Sequence, residues 1–163
     1  MQAAVEGARQ AFEQREQCEQ CEQQLDGESQ QQGVGAKPTV LAVTVLTSMN
    51  EATLQSVGVR RDLTTQVNSL AQLARQAGLD GVVASPLEAQ YLRKLLGENF
   101  AIVTPGVRPT SSMTDDQSRT ATPAQAIANG ASHLVIGRPI TGADDPRAAF
   151  EAIVDEIRRA QHG

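Results

Sequence analysis

Gly78-Leu79-Asp80-Gly81-Val82-Val83-Ala84-Ser85-Pro86 is the joint on which the reading of this chain turns. Ahead of it, Val67, Leu70, Leu73, Ala74 and Ala77 recur at helical spacing over residues 64–77, and Gly78 is a natural helix stop. Gly81-Val82-Val83-Ala84 reads as a short buried strand. Pro86 stands where proline favours a helix start, so residues 86–96 are predicted helical up to Gly97. One short stretch therefore ends a helix, runs a strand and begins another helix.

The same alternation extends in both directions. Upstream, Val40-Leu41-Ala42-Val43-Thr44-Val45-Leu46 is a near-continuous β-branched run, the pattern of a strand buried on both faces. Downstream, Phe100-Ala101-Ile102-Val103 predicts a third strand, followed by a long polar loop over 105–121. Thr122-Pro123 opens a short helix ending at Gly130, and His133-Leu134-Val135-Ile136 predicts a fourth strand. A last helix covers 146–160, with Phe150, Ile153, Val154 and Ile157 on one face. Four strand–helix units imply an α/β fold with a parallel sheet and right-handed crossovers. They fit a small doubly wound sheet or half of an eight-stranded barrel, and periodicity alone does not choose.

Before these units, residues 1–24 are rich in helix formers, and 25–37 (Leu25 to Lys37) form a Gln/Gly-rich stretch that reads as a flexible loop or insertion. The α/β unit proper then runs over 38–160. Of the chain's 163 residues 40% are apolar, enough for one ordinary core, but the aromatics are only Phe12, Phe100, Phe150 and Tyr91. The core must come from Val, Leu, Ile and Ala. A net charge of −5 argues against a nucleic-acid footprint. No apolar run approaches the ~20 residues of a membrane span, and the first residues lack a signal-peptide pattern, so a cytoplasmic protein is expected. Cys18 and Cys21 form one C-x-x-C inside a Glu/Gln tract, without a second pair to complete a zinc site; they read as solvent-exposed thiols.

In parallel α/β folds, ligands lie at the C-terminal ends of the strands. Those ends read Leu46-Thr47-Ser48, Ala84-Ser85, Thr104-Pro105-Gly106-Val107-Arg108-Pro109 and Ile136-Gly137-Arg138-Pro139. Arg108 and Arg138 thus follow consecutive strands, each close behind a glycine. Glycine permits close backbone approach, and a guanidinium offers paired donors to an oxyanion, so a phosphorylated small molecule is implied. Taken singly, each of these residues has a plainer reading. A strand-end arginine can be a surface salt-bridge former, Gln117 a solvated loop residue, and Thr47 a hydroxyl satisfying the backbone.

Five runs together resemble the bacterial-type orotidine 5′-monophosphate decarboxylase family. They are Leu41 to Ser48, Gly78 to Ser85, Val103 to Pro109, Asp116-Gln117-Ser118-Arg119, and Val135-Ile136-Gly137-Arg138-Pro139-Ile140, covering about 40–158 in order. The resemblance implies a (βα)8 barrel working as a homodimer on orotidine 5′-monophosphate, giving UMP, without metal or organic cofactor. Here the chain would be a four-unit half barrel, strands five to eight, with the N-terminal helix matching the one after strand four. Carried over by position, Arg138 and the Gly137 backbone resemble the phosphate grip. Gln117 resembles the residue that closes over phosphate and base, Thr47 the hydroxyl reading the pyrimidine amide edge, and Arg108 the binding-site arginine after strand seven. Pro105 resembles a residue packed against the base.

The family's alternating Lys/Asp array, with its D-x-K-x-x-D hallmark, has no counterpart. Only Lys37 and Lys94 occur, and neither has an Asp at i−2 and i+3. No catalytic residue is assigned, and the isolated chain is predicted inactive. Half a barrel would also expose two sheet edges and an apolar inner face, which predicts marginal stability or association. A catalytically inactive half barrel that binds a nucleotide phosphate, or serves only as an assembly partner, is the alternative function. A different phosphate-binding barrel, an epimerase or sugar-phosphate decarboxylase, is a third.

Overall fold

The computed structural model describes Glu6, Gly7, Gln10, residues 38–109 and residues 119–162. Glu6, Gly7 and Gln10 are helical; the remainder of the expected N-terminal helix, the Gln/Gly-rich stretch, Cys18, Cys21, Lys37 and Gln117 lie outside the described residues. The elements in order are β1 (Leu41–Val43), α1 (Glu51–Ser56), α2 (Leu63–Gln76), β2 (Gly81–Val83), α3 (Ala89–Leu96), β3 (Ala101–Thr104), α4 (Pro123–Ala128), β4 (His133–Leu134), α5 (Arg138–Thr141) and α6 (Pro146–His162). The four strands form one parallel sheet in the order β1-β2-β3-β4.

Local chemistry accounts for most boundaries. Asp62 and Thr122 accept from the third-residue amides of α2 and α4, and Gln125 reaches back to complete a capping box at Thr122. Glu156 of α6 accepts from the Ala124 amide, so the last helix also satisfies the start of α4. The helix predicted from Pro86 begins later, at Ala89, because Ser85 to Glu88 form a turn closed by the Glu88 amide on the Ser85 carbonyl. The short helices α1 and α5 were not anticipated; Asn50, whose side chain accepts from the Thr53 amide, is the signal that would have found α1.

Every strand shares a paired row with its neighbour, and the rows alternate in environment. Val82 and Ile102 are register partners facing the helices, and both are fully buried among Val67, Ala71, Ala74, Leu92 and Leu96. The opposite row behaves differently. Val43, the partner of Val83, is 58% exposed, and Val135, just past β4 on the row of Val103 and His133, is 53% exposed. The expectation that Val40–Leu46 is a strand buried on both faces is therefore corrected. Only Leu41–Val43 pairs, and the described helices cover one face of it. The sheet edges are β1 and β4, as the half-barrel reading anticipates.

Gly81 is required by close approach within the sheet. A Cβ there would overlap the carbonyl oxygen and Cβ of Ala101 and lie 2.7 Å from Leu41 Cδ2.

Candidate functional site

The strands are parallel, so the segments leaving their C-terminal ends share one rim of the sheet. At the end of β1 the Thr44 hydroxyl donates to the Val83 carbonyl at 2.9 Å, holding the chain to β2 beyond the last paired residue. The chain then turns: the Met49 amide donates to the Leu46 carbonyl at 2.9 Å. Thr47 lies within this turn and is buried.

At the end of β3, Gly106 takes φ of 75°, a conformation that other residues adopt only with strain. The chain redirected there forms a parallel bridge between Val107 and Ala121, and the Arg108 amide donates to the Ala121 carbonyl at 2.9 Å. The two ends of the long loop are thus pinned together, and Arg108 sits at the pin. Its side chain is buried and engaged by neighbouring groups, in keeping with the high cost of burying a bare guanidinium.

At the end of β4, Gly137 is the N-cap of α5, and its carbonyl accepts from the amides of Ile140 and Thr141 at 2.9 and 3.1 Å. A Cβ at Gly137 would meet nothing within 4 Å, so this side of the backbone is open to a ligand. Arg138, the first residue of α5, is exposed. The two arginines therefore differ: Arg108 is an interior cation behind the rim, and Arg138 an outward one on it. They leave neighbouring strands, whereas Thr47 leaves the far edge strand β1.

The rim also carries a cluster that strand-end spacing does not reveal. Arg119 makes an ion pair with Glu88 and donates from Nη2 to the Leu46 carbonyl at 2.8 Å. The fully buried Ser85 hydroxyl donates to the Arg119 carbonyl at 3.4 Å. Burial pushes the Glu88 carboxyl above its ordinary value, and the Arg119 charge pulls it back. Among the described residues no group of three or more His, Cys, Asp or Glu side chains could hold a metal ion.

Residues 1–153 match the model of the Orotidine 5'-phosphate decarboxylase / HUMPS family. The chain belongs to this family. It is 57% identical over 123 residues to the orotidine 5'-phosphate decarboxylase of Geotalea uraniireducens, covering 76% of this chain and 51% of that protein. It is 52% identical over 125 residues to the one from Citrifermentans bemidjiense, covering 77% and 52%. The crystal structure of orotidine 5'-phosphate decarboxylase from Lactobacillus acidophilus superposes with a TM-score of 0.64 at 44% identity, covering 75% of this chain and 50% of that one. The chain spans about half the length of these curated relatives. Its four parallel strand–helix units are accordingly half of the family's eight-unit barrel. None of the described helices is long and apolar enough to cross a membrane.

Proposed function

We propose that this chain supplies the phosphate and base contacts of an orotidine 5′-phosphate decarboxylase, the lyase that converts orotidine 5′-monophosphate to UMP and CO₂ in pyrimidine biosynthesis. The observation that supports this most is the pair of neighbouring strand ends, one ending in buried Arg108 and the other in the open Gly137–Arg138 helix start. In barrels of this class the loops after the last two strands make the common phosphate site. On this reading Arg138 and the Gly137 backbone hold the phosphate, and Arg108 adds positive potential from behind. Thr47 reads the amide edge of the pyrimidine, and Gln117 contacts both phosphate and base. Residues 38–160 form the C-terminal half of the barrel. The complete protein is a cytoplasmic homodimer working without metal or organic cofactor.

The chemistry needs more than a grip. Breaking the carbon–carbon bond releases CO₂ and leaves an electron pair on the ring, which must take a proton from a nearby acid. Lys94 is exposed on α3, away from the strand-end rim, and Lys37 precedes β1 in the chain. On this reading neither lysine is the proton donor, and the Lys/Asp array of the family would be supplied by the complementary half. Binding energy gained at the phosphate would then serve a reacting end built by the complementary half.

The test is an orotidylate turnover assay on the purified chain, with and without a separately expressed N-terminal half of a relative carrying D-x-K-x-x-D. Turnover is expected only with both halves. Turnover by the chain alone would overturn the missing donor. Tighter binding of a pentose phosphate than of UMP would move the assignment to a sugar-phosphate substrate.

A further inference from the structure

Arg119 joins the ends of two neighbouring strands. Its Nη2 donates to the Leu46 carbonyl beyond β1, at 2.8 Å. Its Nη1 pairs with Glu88, which lies beyond β2 at the start of α3. Its own carbonyl accepts from Ser85, and it stands two residues before Ala121, the bridge partner of Val107 beyond β3. The side chains of Arg119 and Glu88 are only 11% and 12% exposed, so little of either faces water.

The point of contact beyond β1 is specific. The Leu46 carbonyl accepts twice, from the Met49 amide at 2.9 Å and from Arg119 at 2.8 Å. That carbonyl closes the turn Leu46-Thr47-Ser48-Met49, which contains no glycine or proline to stiffen it. A charge-assisted hydrogen bond is about twice as strong as a neutral one, so the guanidinium is the stiffer of the two holds. Glu88 in turn holds the guanidinium.

We propose that Arg119, oriented by Glu88, is a positioning residue: it fixes the Leu46–Met49 turn and thereby aims the Thr47 hydroxyl at the base of the bound nucleotide. The role of Thr47 rests on the function proposed above; the hold on the turn does not. Arg119 is thus not a third phosphate-binding arginine, because its charge is matched by Glu88 and one edge is taken by Leu46. Among the described residues, Glu88 Oε2 and Arg119 Nε are buried without a hydrogen-bond partner.

Buried ion pairs can often be replaced by apolar residues of similar volume with no loss of stability. This separates positioning from folding. In the full chain, the double variant Glu88→Leu/Arg119→Met is compared with Arg119→Lys and with the unaltered protein. Thermal melts first establish that each is folded. Hydrogen exchange at the Met49 amide is then expected to speed up by roughly tenfold or more in the double variant, the size set by losing a charged hydrogen bond. Unchanged Met49 exchange in a folded double variant overturns the proposal.

The ligand arm uses UMP and ribose 5-phosphate. UMP binding is expected to weaken by about tenfold while ribose 5-phosphate binding stays within about twofold, and the UMP loss should vanish in a Thr47→Val background. Equal losses for both ligands, or full additivity with Thr47→Val, would show Arg119 acting on phosphate or on the fold at large. If the unaltered chain binds neither ligand, the nucleotide assignment fails, and Met49 exchange still judges the hold on the turn.

Discussion

Two arginines hold the two ends of this sheet, and they do so in opposite ways. At the N-terminal end, Arg93 of α3 donates to the carbonyls of Gly97, Glu98 and Phe100 at 2.7, 2.9 and 2.8 Å, and to that of Gly130 at 3.1 and 2.9 Å. All of its hydrogen-bond acceptors there are backbone, with the Glu98 carboxylate a looser ion-pair partner at 4.0 Å, and they tie the end of α3 to the chain entering β3 and to the end of α4. At the C-terminal end, Arg119 takes one backbone carbonyl and a buried carboxylate, and its Nε has no partner among the described residues. Arg93 spends its guanidinium on backbone carbonyls, whereas Arg119 divides its own between a carbonyl and a carboxylate. In barrels of this kind one end carries stability and the other carries ligands, and the proposed site of this chain makes Arg93 and Arg119 a test of that division.

If that division is real, changes at the N-terminal end should cost stability without selecting among ligands. The largest effect is expected from Gly81→Val, since even a Cβ there overlaps Ala101. A loss of about 4 kcal/mol in urea unfolding is expected, in the range reserved for severe overpacking. Arg93→Ala follows, at about 3 kcal/mol, because several carbonyls lose a charged donor at once. Arg93→Lys should recover only part of this, as one ammonium does not reproduce the guanidinium's spread of donors. A change in the ratio of UMP to ribose 5-phosphate affinity in either variant would break the comparison.

The contrast also marks what could be read from the chain. Gly78, Thr122 and the apolar spacing of α2 are local signals, and each element they imply is present within a few residues. Thr47, Arg108, Gly137 and Arg138 could be nominated as candidates because their places just past a strand need only the strand to be recognised, while the roles proposed for them come from the family resemblance. The extent of β1 was overread because a β-branched run does not say how far a neighbouring strand will pair, and β1 has a single neighbour. Arg119 reaches Leu46 across 73 positions and Glu88 across 31, and no periodicity encodes such distances. The burial of Arg108 beside the exposure of Arg138 was equally hidden, since each stands close behind a glycine at a strand end.

At the C-terminal end the expectation reverses. Arg138→Ala should leave the unfolding midpoint nearly unchanged, within about 0.5 kcal/mol, because the side chain is exposed. UMP and ribose 5-phosphate binding should weaken together, by about 2 kcal/mol, the worth of a charged hydrogen-bonded contact to phosphate. Isothermal titration with both ligands checks this. A loss confined to UMP would mean that Arg138 contacts the base rather than the phosphate.

The smallest effect is a pH dependence that separates the ends electrostatically. Burial is the larger influence on Glu88 and raises its carboxyl above the ordinary 4.5, with Arg119 opposing. The folded chain therefore keeps a proton on Glu88 over a range where the unfolded chain has lost it. By linkage, the contribution of this group to stability is greatest below 4.5 and falls as pH rises through the folded value, beyond which it is level. Exposed Asp62 runs the other way: the Thr65 hydroxyl and amide hold it below its ordinary 3.8, so its contribution is present above that value and lost as pH falls. Glu88→Gln should remove the first trend and leave the second. Arg119→Met strips away the opposing charge, so Glu88 should hold its proton to higher pH and the fall should extend upward. Urea midpoints from pH 4 to 7, taken as differences from the unaltered chain, isolate the Glu88 contribution from the other carboxylates. If Glu88→Gln shows the same slope as the unaltered chain, the carboxyl is not held out of water, and the C-terminal end loses the feature that distinguishes it from the Arg93 staple.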